Sequence, residues 1–446
     1  MTKKPCCSSE IWNAVSRIYP VILIVCFIGA SSSATEEIVE EVTTTEAPTS
    51  PYVGNLKQRI ALTGDWGGSR GRLYDKGVSF EMNLVNTFQS VVDGGVDTGS
   101  AFGGSLDLYV NLDFEKLGWW QGASLQLKGE AQFGNSVNSD TGIFLSPNVD
   151  SLFPIADQDK VTLTSVVFTK FFSPRFGMIF GKLHSQGGDM NVFAHGLNNN
   201  TFMNMAFGSN PITILTAPYS AWAFGFLVEP KPNIHLNLMV WDSEGAPDEW
   251  GFDTVFDGGT AITSELRIDT HLGGKPGHHL FGGGINSKEF TSVNQDPRLL
   301  LPPPSGGVLA TERDNWSLYY NFYQFIHVES DDPTQGWGIF GRIGFADKIT
   351  SPIQRFYNFG FGGKGIIPGR DDDTFGAGFY YADDSDELSP IYSNILQLDA
   401  GYGFEFFYNV QVTPWFHLTP DIQVIEPASG LLDTVVVVGL RSKIEF

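Results

Sequence analysis

Cysteine is nearly absent from this chain: Cys6, Cys7 and Cys26 are the only three in 446 residues, and all precede residue 35. A chain starting after that point has no disulfide, no thiol nucleophile and no thiolate metal site. Positive charge is also scarce, with 27 Lys and Arg against 50 Asp and Glu. The resulting net charge of −23 repels phosphates, which excludes nucleic acid as a partner. Long apolar runs are missing beyond residue 35. The longest is Val435 to Val438, far below the ~18 residues that mark a membrane helix. H-E-x-x-H does not occur, and Gly360 to Gly365 fits G-x-G-x-x-G only to run into Pro368, where a helix should begin. His278-His279 lies in a Gly/Pro stretch that reads as a loop, with no ligand at zinc-like spacing. No enzyme, cofactor or metal site is expected.

What is present starts with an export signal. Lys3, Lys4 and Arg17 precede an apolar run from Val21 to Ala30, and Ser32 and Ala34 form a small-x-small cleavage site. Residues 1–34 therefore read as a signal peptide; their removal takes away three basic residues and one acidic one, leaving 24 against 49. Residues 35–58 carry Glu36, Glu37, Glu40, Glu41, Pro48 and Pro51 and read as a flexible acidic leader. Residues 59–446 form the remaining unit.

That unit is written in period two. In Leu106-Asp107-Leu108-Tyr109-Val110-Asn111-Leu112-Asp113-Phe114 the even positions are apolar and the odd ones polar or amphipathic. Leu125 to Phe133 alternates the same way on odd positions, and the pattern returns at 234–241, 262–269, 316–328, 337–345, 396–408, 416–424 and 436–446. Strand side chains alternate between faces, so each segment has one oily and one wet face. Segments of ~9–11 residues match a tilted strand crossing a bilayer. Aromatics near the segment ends (Phe114, Phe133, Trp241, Trp316, Trp337, Tyr408) suit two interfacial belts. The reading is all-β: a transmembrane antiparallel β-barrel of about 16 strands, at ~24 residues per strand and connection. A short helical segment between Thr63 and Gly77, capped by Asp65 or Ser69, precedes the first strand. Two other readings fit less well: a secreted soluble β-rich binding protein, and a barrel hydrolase using His327 or His417.

The stretch Leu62-Thr63-Gly64-Asp65-Trp66-Gly67-Gly68-Ser69-Arg70, with Leu73 and Gly77-Val78, resembles the opening of the carbohydrate-selective porins of the OprB family. The likeness continues in Gly181-Lys182-Leu183, in Phe202-Met203-Asn204 to Asn210-Pro211, in Pro368 to Gly376, and in Thr419 to Gln423. It ends with Val438-Gly439-Leu440-Arg441 to Phe446, and in all it spans roughly residues 59–446. The resemblance implies a 16-stranded barrel in the bacterial outer membrane, often trimeric, that passes mono- and small oligosaccharides passively. Its partners would be small carbohydrates and outer-membrane lipid. A non-selective small-solute porin is the alternative. Where the family leads one to expect an acidic residue after Leu183, this chain has His184, and the acidic leader is not part of the common pattern.

Candidate pore-lining and solute-binding residues come from the wet faces: Lys128 and Glu130; Glu265, Arg267 and Asp269; Arg342; and Arg441, with Lys443 and Glu445 beyond it. Guanidinium groups offer several fixed donors to sugar hydroxyls. The same charges could instead pair across the lumen and hold its shape. Tyr109, Tyr319 and Tyr323 also fall on wet faces, where an aromatic ring could stack on a sugar. The long segment 184–211, with Asn198-Asn199-Asn200, is a candidate for a loop folded into the barrel. Asp371 to Asp373 and Asp383 to Glu387 lack EF-hand spacing and read as solvated loops.

Overall fold

The computed structural model describes residues 51–446 apart from 157, 186–188, 190, 195–199, 301–306 and 331. The expected signal peptide, leader residues 35–50, Asn198 and Asn199 lie outside the described residues.

Each period-two segment is a strand. The first eight are β1 Val78–Asp93, β2 Gly99–Asp113, β3 Ala123–Gly134, β4 Lys160–Ser173, β5 Phe176–Leu183, β6 Ala221–Lys231, β7 Ile234–Asp242 and β8 Thr260–Leu272. The second eight are β9 Lys275–Thr291, β10 Thr311–Val328, β11 Gly336–Ala346, β12 Ile353–Lys364, β13 Thr374–Asp384, β14 Gly401–Thr413, β15 Phe416–Glu426 and β16 Val435–Glu445. Every strand pairs antiparallel with its chain neighbours, and β16 closes on β1 from Leu84 opposite Ile444 to Val91 opposite Val437. A sheet closed on itself has no edge, so no backbone donor or acceptor is left facing lipid.

The alternation sorts side chains by face. Phe102, Phe281, Phe359, Phe404, Phe406 and Leu440 stand exposed on the outer wall, while their neighbours in sequence point into the barrel. Tight turns at Pro174-Arg175, Pro232-Asn233, Gly273-Gly274 and Pro414-Trp415 gather at the end that holds both the start of β1 and the end of β16. This is the periplasmic end, because short turns there and long connections opposite are the usual arrangement of such barrels. Gly273 and Gly274 both have positive φ (61° and 78°), as a two-residue hairpin matching the strand twist requires.

Two sequence expectations change here. Trp241 is not a belt residue: it shares parity with His235, Asn237 and Met239, points inward, is fully buried and donates from Nε1 to Thr263 Oγ1 at 2.9 Å. His278-His279 is not in a loop but inside β9, because Gly273-Gly274 already completes the turn. His278 faces the lumen, whereas His279 faces outward and bonds the Tyr320 hydroxyl at 2.6 Å.

The expected helix is α1, Ser69–Asp75. Its N-cap is Gly68 in the left-handed region, with no side-chain cap bond; Asp65 Oδ1 instead accepts from Gly71 N at 3.2 Å. The reason is local: Gly67 and Gly68 both turn with positive φ, so the loop itself redirects the chain. The Arg70 guanidinium lies 3.9 Å over the Tyr52 ring and donates to Phe80 O at 2.9 Å, tying α1 beneath β1. Leu62 N bonds Glu445 O at 2.7 Å and Trp415 Nε1 bonds Leu56 O at 2.7 Å, so residues from 51 onward are seated on the periplasmic rim.

If the outer wall meets lipid, charge there should cost most at mid-depth. Phe406→Arg, midway along β14, is expected to destabilise by about 2–4 kcal/mol, and Val412→Arg at the rim by roughly 0–1 kcal/mol. Urea unfolding in lipid vesicles reads both, and equal costs would contradict the assignment of this wall to the membrane.

Candidate functional site

The barrel is not an empty tube. In the described residues of two connections on the long-loop side, 135–159 after β3 and 184–220 after β5, the chain turns inward and packs against the wall. Within the second, 184–211 was a candidate for such a loop on its low charge. The first was not, although its sequence held the signal: Ile143, Phe144, Leu145, Val149, Leu152 and Phe153 are too many apolar residues for a loop standing in water. In the structure Leu145 and Val149 are buried together with Phe202, Phe207 and Ile212 of the second loop.

The two loops grip each other through backbone bonds, Val149 N to Met203 O at 2.8 Å and Met205 N to Ser146 O at 2.9 Å. The short helix α3, Met205–Gly208, follows, with Asn204 capping it by accepting from Ala206 N at 2.8 Å; α2, Asn138–Thr141, lies in the first loop. Polar side chains of the wall hold both loops. Gln423 Nε2 donates to Pro147 O at 2.8 Å, and Ser105 Oγ to Asp150 Oδ2 at 2.8 Å. Glu405 accepts the backbone N–H groups of Met203 and Asn204 at 2.5 and 3.0 Å. Where the second loop lies flat, the wall is glycine. A Cβ on Gly344 would come within 2.6 Å of Ile212, and one on Gly378 within 2.5 Å of Phe207. The missing side chains are the space the loop occupies.

Every candidate charge from the sequence points inward, but they fall into two settings. Arg342, on β11, is 2% exposed; it ion-pairs with Asp189 of the second loop and donates to Ser209 O at 2.7 Å. Arg441, on β16, is 3% exposed and donates to Thr201 O at 2.6 Å. Lys128 on β3 is buried between Glu130 at 2.8 Å and Asp107 at 3.3 Å, and the Tyr219 hydroxyl donates to Glu130. Glu265, on β8, is also buried and accepts from the Tyr319 hydroxyl and from Asn237 Nδ2 at 2.9 Å. Buried charges cost several kcal/mol unless paired and hydrogen-bonded, and each of these has partners. Arg267 and Asp269 differ. They pair at 3.2 Å on β8, with side chains 13% and 32% exposed, and His235 bonds Asp269 Oδ2 at 3.0 Å and Glu229 Oε1 at 3.0 Å. Lys443 pairs with Glu445 at 2.9 Å near the periplasmic rim.

His184 sits at the mouth of the Lys128 cluster. Burial, reinforced by the Lys128 ammonium and opposed by Glu130, pushes its imidazole down to about 3, so it stays neutral. Carboxylate partners for Lys128 come from Asp107 and Glu130 instead. Burial likewise raises Asp150 of the first loop, against the Ser105 hydrogen bond, and lifts the Tyr219 phenol well above its ordinary value.

Several members of the acidic clusters are paired where they stand. Arg370 binds Asp373 and Lys364 binds Asp372 at the periplasmic end, while Arg355 holds Asp383 and Asp386 at the other. His417 has Asn409, not a serine, as its recorded side-chain partner, and His327 is exposed at the end of β10.

A family model described as carbohydrate-selective porin, OprB family, matches residues 97–446. Porin B of Pseudomonas aeruginosa is 21% identical over 416 residues, covering 86% of this chain and 91% of that protein. A putative porin, QuiX, of Acinetobacter baylyi is 21% identical over 432 residues, covering 87% and 94%. Among solved structures, OprB of Pseudomonas putida in a high-pH form superposes with a TM-score of 0.75 at 21% identity, covering 88% of this chain and 98% of that one. Its low-pH form gives 0.56 at 17% identity, covering 87% and 99%. A closed sixteen-stranded barrel with an oily exterior and a narrowed polar lumen, matched by this model over most of its length, belongs to the OprB family of carbohydrate-selective porins, channels of the bacterial outer membrane.

Proposed function

We propose that neutral mono- and small oligosaccharides diffuse passively through the water column left beside the two inner loops, which set the size limit. One observation carries this reading: Arg342, Arg441 and Glu405 are spent on loop backbone and loop carboxylate, while Arg267, Asp269 and His235 keep part of their surface in the lumen. The first group fixes the constriction and the second meets the solute. No step of this reading requires catalysis or a cofactor. Residues 1–34 direct export in this reading, and 35–58 form an acidic leader ahead of the 59–446 barrel.

A trimer belongs to the same reading. Around the β1–β16 seam the outer wall is unusually polar: Asn86 Nδ2 bonds Ser442 Oγ at 3.4 Å, and Ser100 Oγ bonds Ser90 Oγ at 2.9 Å. Polar groups on a wall otherwise made for lipid support contact between copies there. The native mass in mild detergent should be that of three chains; a single-chain mass removes this part of the reading.

Liposomes carrying the purified protein should swell faster in glucose than in a trisaccharide, and impermeability to both would overturn the transport reading. Arg342→Ala removes the ion pair to Asp189 and the hydrogen bond to Ser209 O, loosening the loop there. The expected outcome is a single-channel conductance raised by about half or more, with trisaccharide entry accelerated. Unchanged values would show that Arg342 does not hold the constriction.

A further inference from the structure

We propose that the periplasmic exit of the pore carries a stacking subsite for one pyranose ring, built on Tyr323 and Phe325 and fenced by Arg267 and Asp269. The proposal rests on the sugar-passage reading and adds a place where the sugar pauses. None of these residues holds the extracellular-side clasp between the two loops.

The juxtaposition follows from register. Asp269 lies opposite His278, and His278 opposite Tyr323, on the adjacent strands β8, β9 and β10. All three share the inward parity of Glu265, Leu280 and Asn321, which are buried in the lumen. Strands stand ~4.8 Å apart, so Asp269 and Tyr323 are roughly 10 Å apart around the wall, about the reach of one or two sugar rings. Arg267 lies opposite His235 and Leu280, one step further from the rim.

The aromatic side is an angled shelf rather than one flat face: Tyr323 and Phe325 meet edge to face with centroids 6.1 Å apart. Phe193, on the underside of the second inner loop, packs 5.9 Å from Tyr323 and 4.9 Å from Phe325, and His278 packs 4.3 Å from Tyr323 on the other flank. Tyr323 and Phe325 remain half-buried and share the inward parity of Asn321 on β10. The polar side is rigid. Asp269 is oriented by Arg267 through Oδ1 at 3.2 Å and by His235 through Oδ2 at 3.0 Å, and Glu229 fixes the far nitrogen of His235 at 3.0 Å.

A pyranose has one apolar C–H face and a rim of hydroxyls. An aromatic shelf covers the first. A carboxylate has lone pairs beyond those its protein partners use, and so accepts from hydroxyls on the rim. Salt ions have no flat apolar face, so the shelf should act on sugars and leave ionic current alone. This difference makes the subsite testable apart from the pore's width.

The experiment is block of single-channel current by glucose and by a neutral trisaccharide, using the full-length protein in planar bilayers. Tyr323→Ala is expected to raise the half-blocking concentration about three- to tenfold, with potassium chloride conductance little changed. Tyr323→Phe, which keeps the ring, should stay within about twofold of the parent, and Asp269→Asn should weaken block. Tyr323→Leu, which fills the volume without a ring, repeats the test if the alanine variant assembles poorly. Sugar that still enters liposomes but blocks Tyr323→Ala and Tyr323→Leu as well as the parent overturns the subsite and leaves passage standing. A loss of block matched by an equal change in salt conductance, or shared by Tyr323→Phe, also overturns it. A parent that admits no sugar removes the passage reading first.

Discussion

Hydrocarbon offers no partner to a peptide N–H or C=O, and the architecture of this protein is a response to that one constraint. Each unsatisfied group would cost several kcal/mol, so strands can cross the bilayer only in a sheet that closes. Closure between β1 and β16 then fixes the meaning of every position: one parity faces lipid, the other faces water. Trp241 shows how strict this is. Its chemistry suits an interfacial belt, yet parity sends it inward, where Thr263 satisfies its indole N–H. Position along the strand outranks side-chain type.

Inside the barrel the governing term changes from backbone pairing to charge burial. A lumen wide enough for sixteen strands would pass far larger solutes than a sugar pore should, so its width is set by chain brought in from the rim. Those loops expose backbone polar groups and displace water, and the wall must replace what the water did. Glu405 accepts two loop N–H groups, Gln423 and Arg342 donate to loop carbonyls, and Arg342 also ion-pairs with Asp189 of the second loop. Charges on a wet face are therefore put to two uses. Some are dehydrated and structural, and others stay in the water column.

The barrel was legible because period two survives in a single sequence: alternation depends only on neighbours one and two residues apart. The lumen was legible to the extent that it shares that period, which is why Lys128, Arg267, Arg342 and Arg441 could be placed inward. Their division could not be read. Arg342 and Arg267 look alike in sequence, and only the path of residues 184–220 makes one an anchor and leaves the other wet. The inward turn of 135–159 was hidden for a related reason: its apolar residues have no period, since an irregular loop presents no regular face. The glycines at 344 and 378 likewise gain their role from Ile212 and Phe207, far away in the chain.

The sequence alone determined the class of protein, the strand alternation, the oily exterior and the acidic, cysteine-poor character of the chain, because each of these is a local or additive property. The tertiary structure decided which loops enter the lumen, which charges they neutralise and where water is left. Those outcomes depend on close approach between residues more than a hundred positions apart, and contacts of that kind leave no mark on the spacing of either partner.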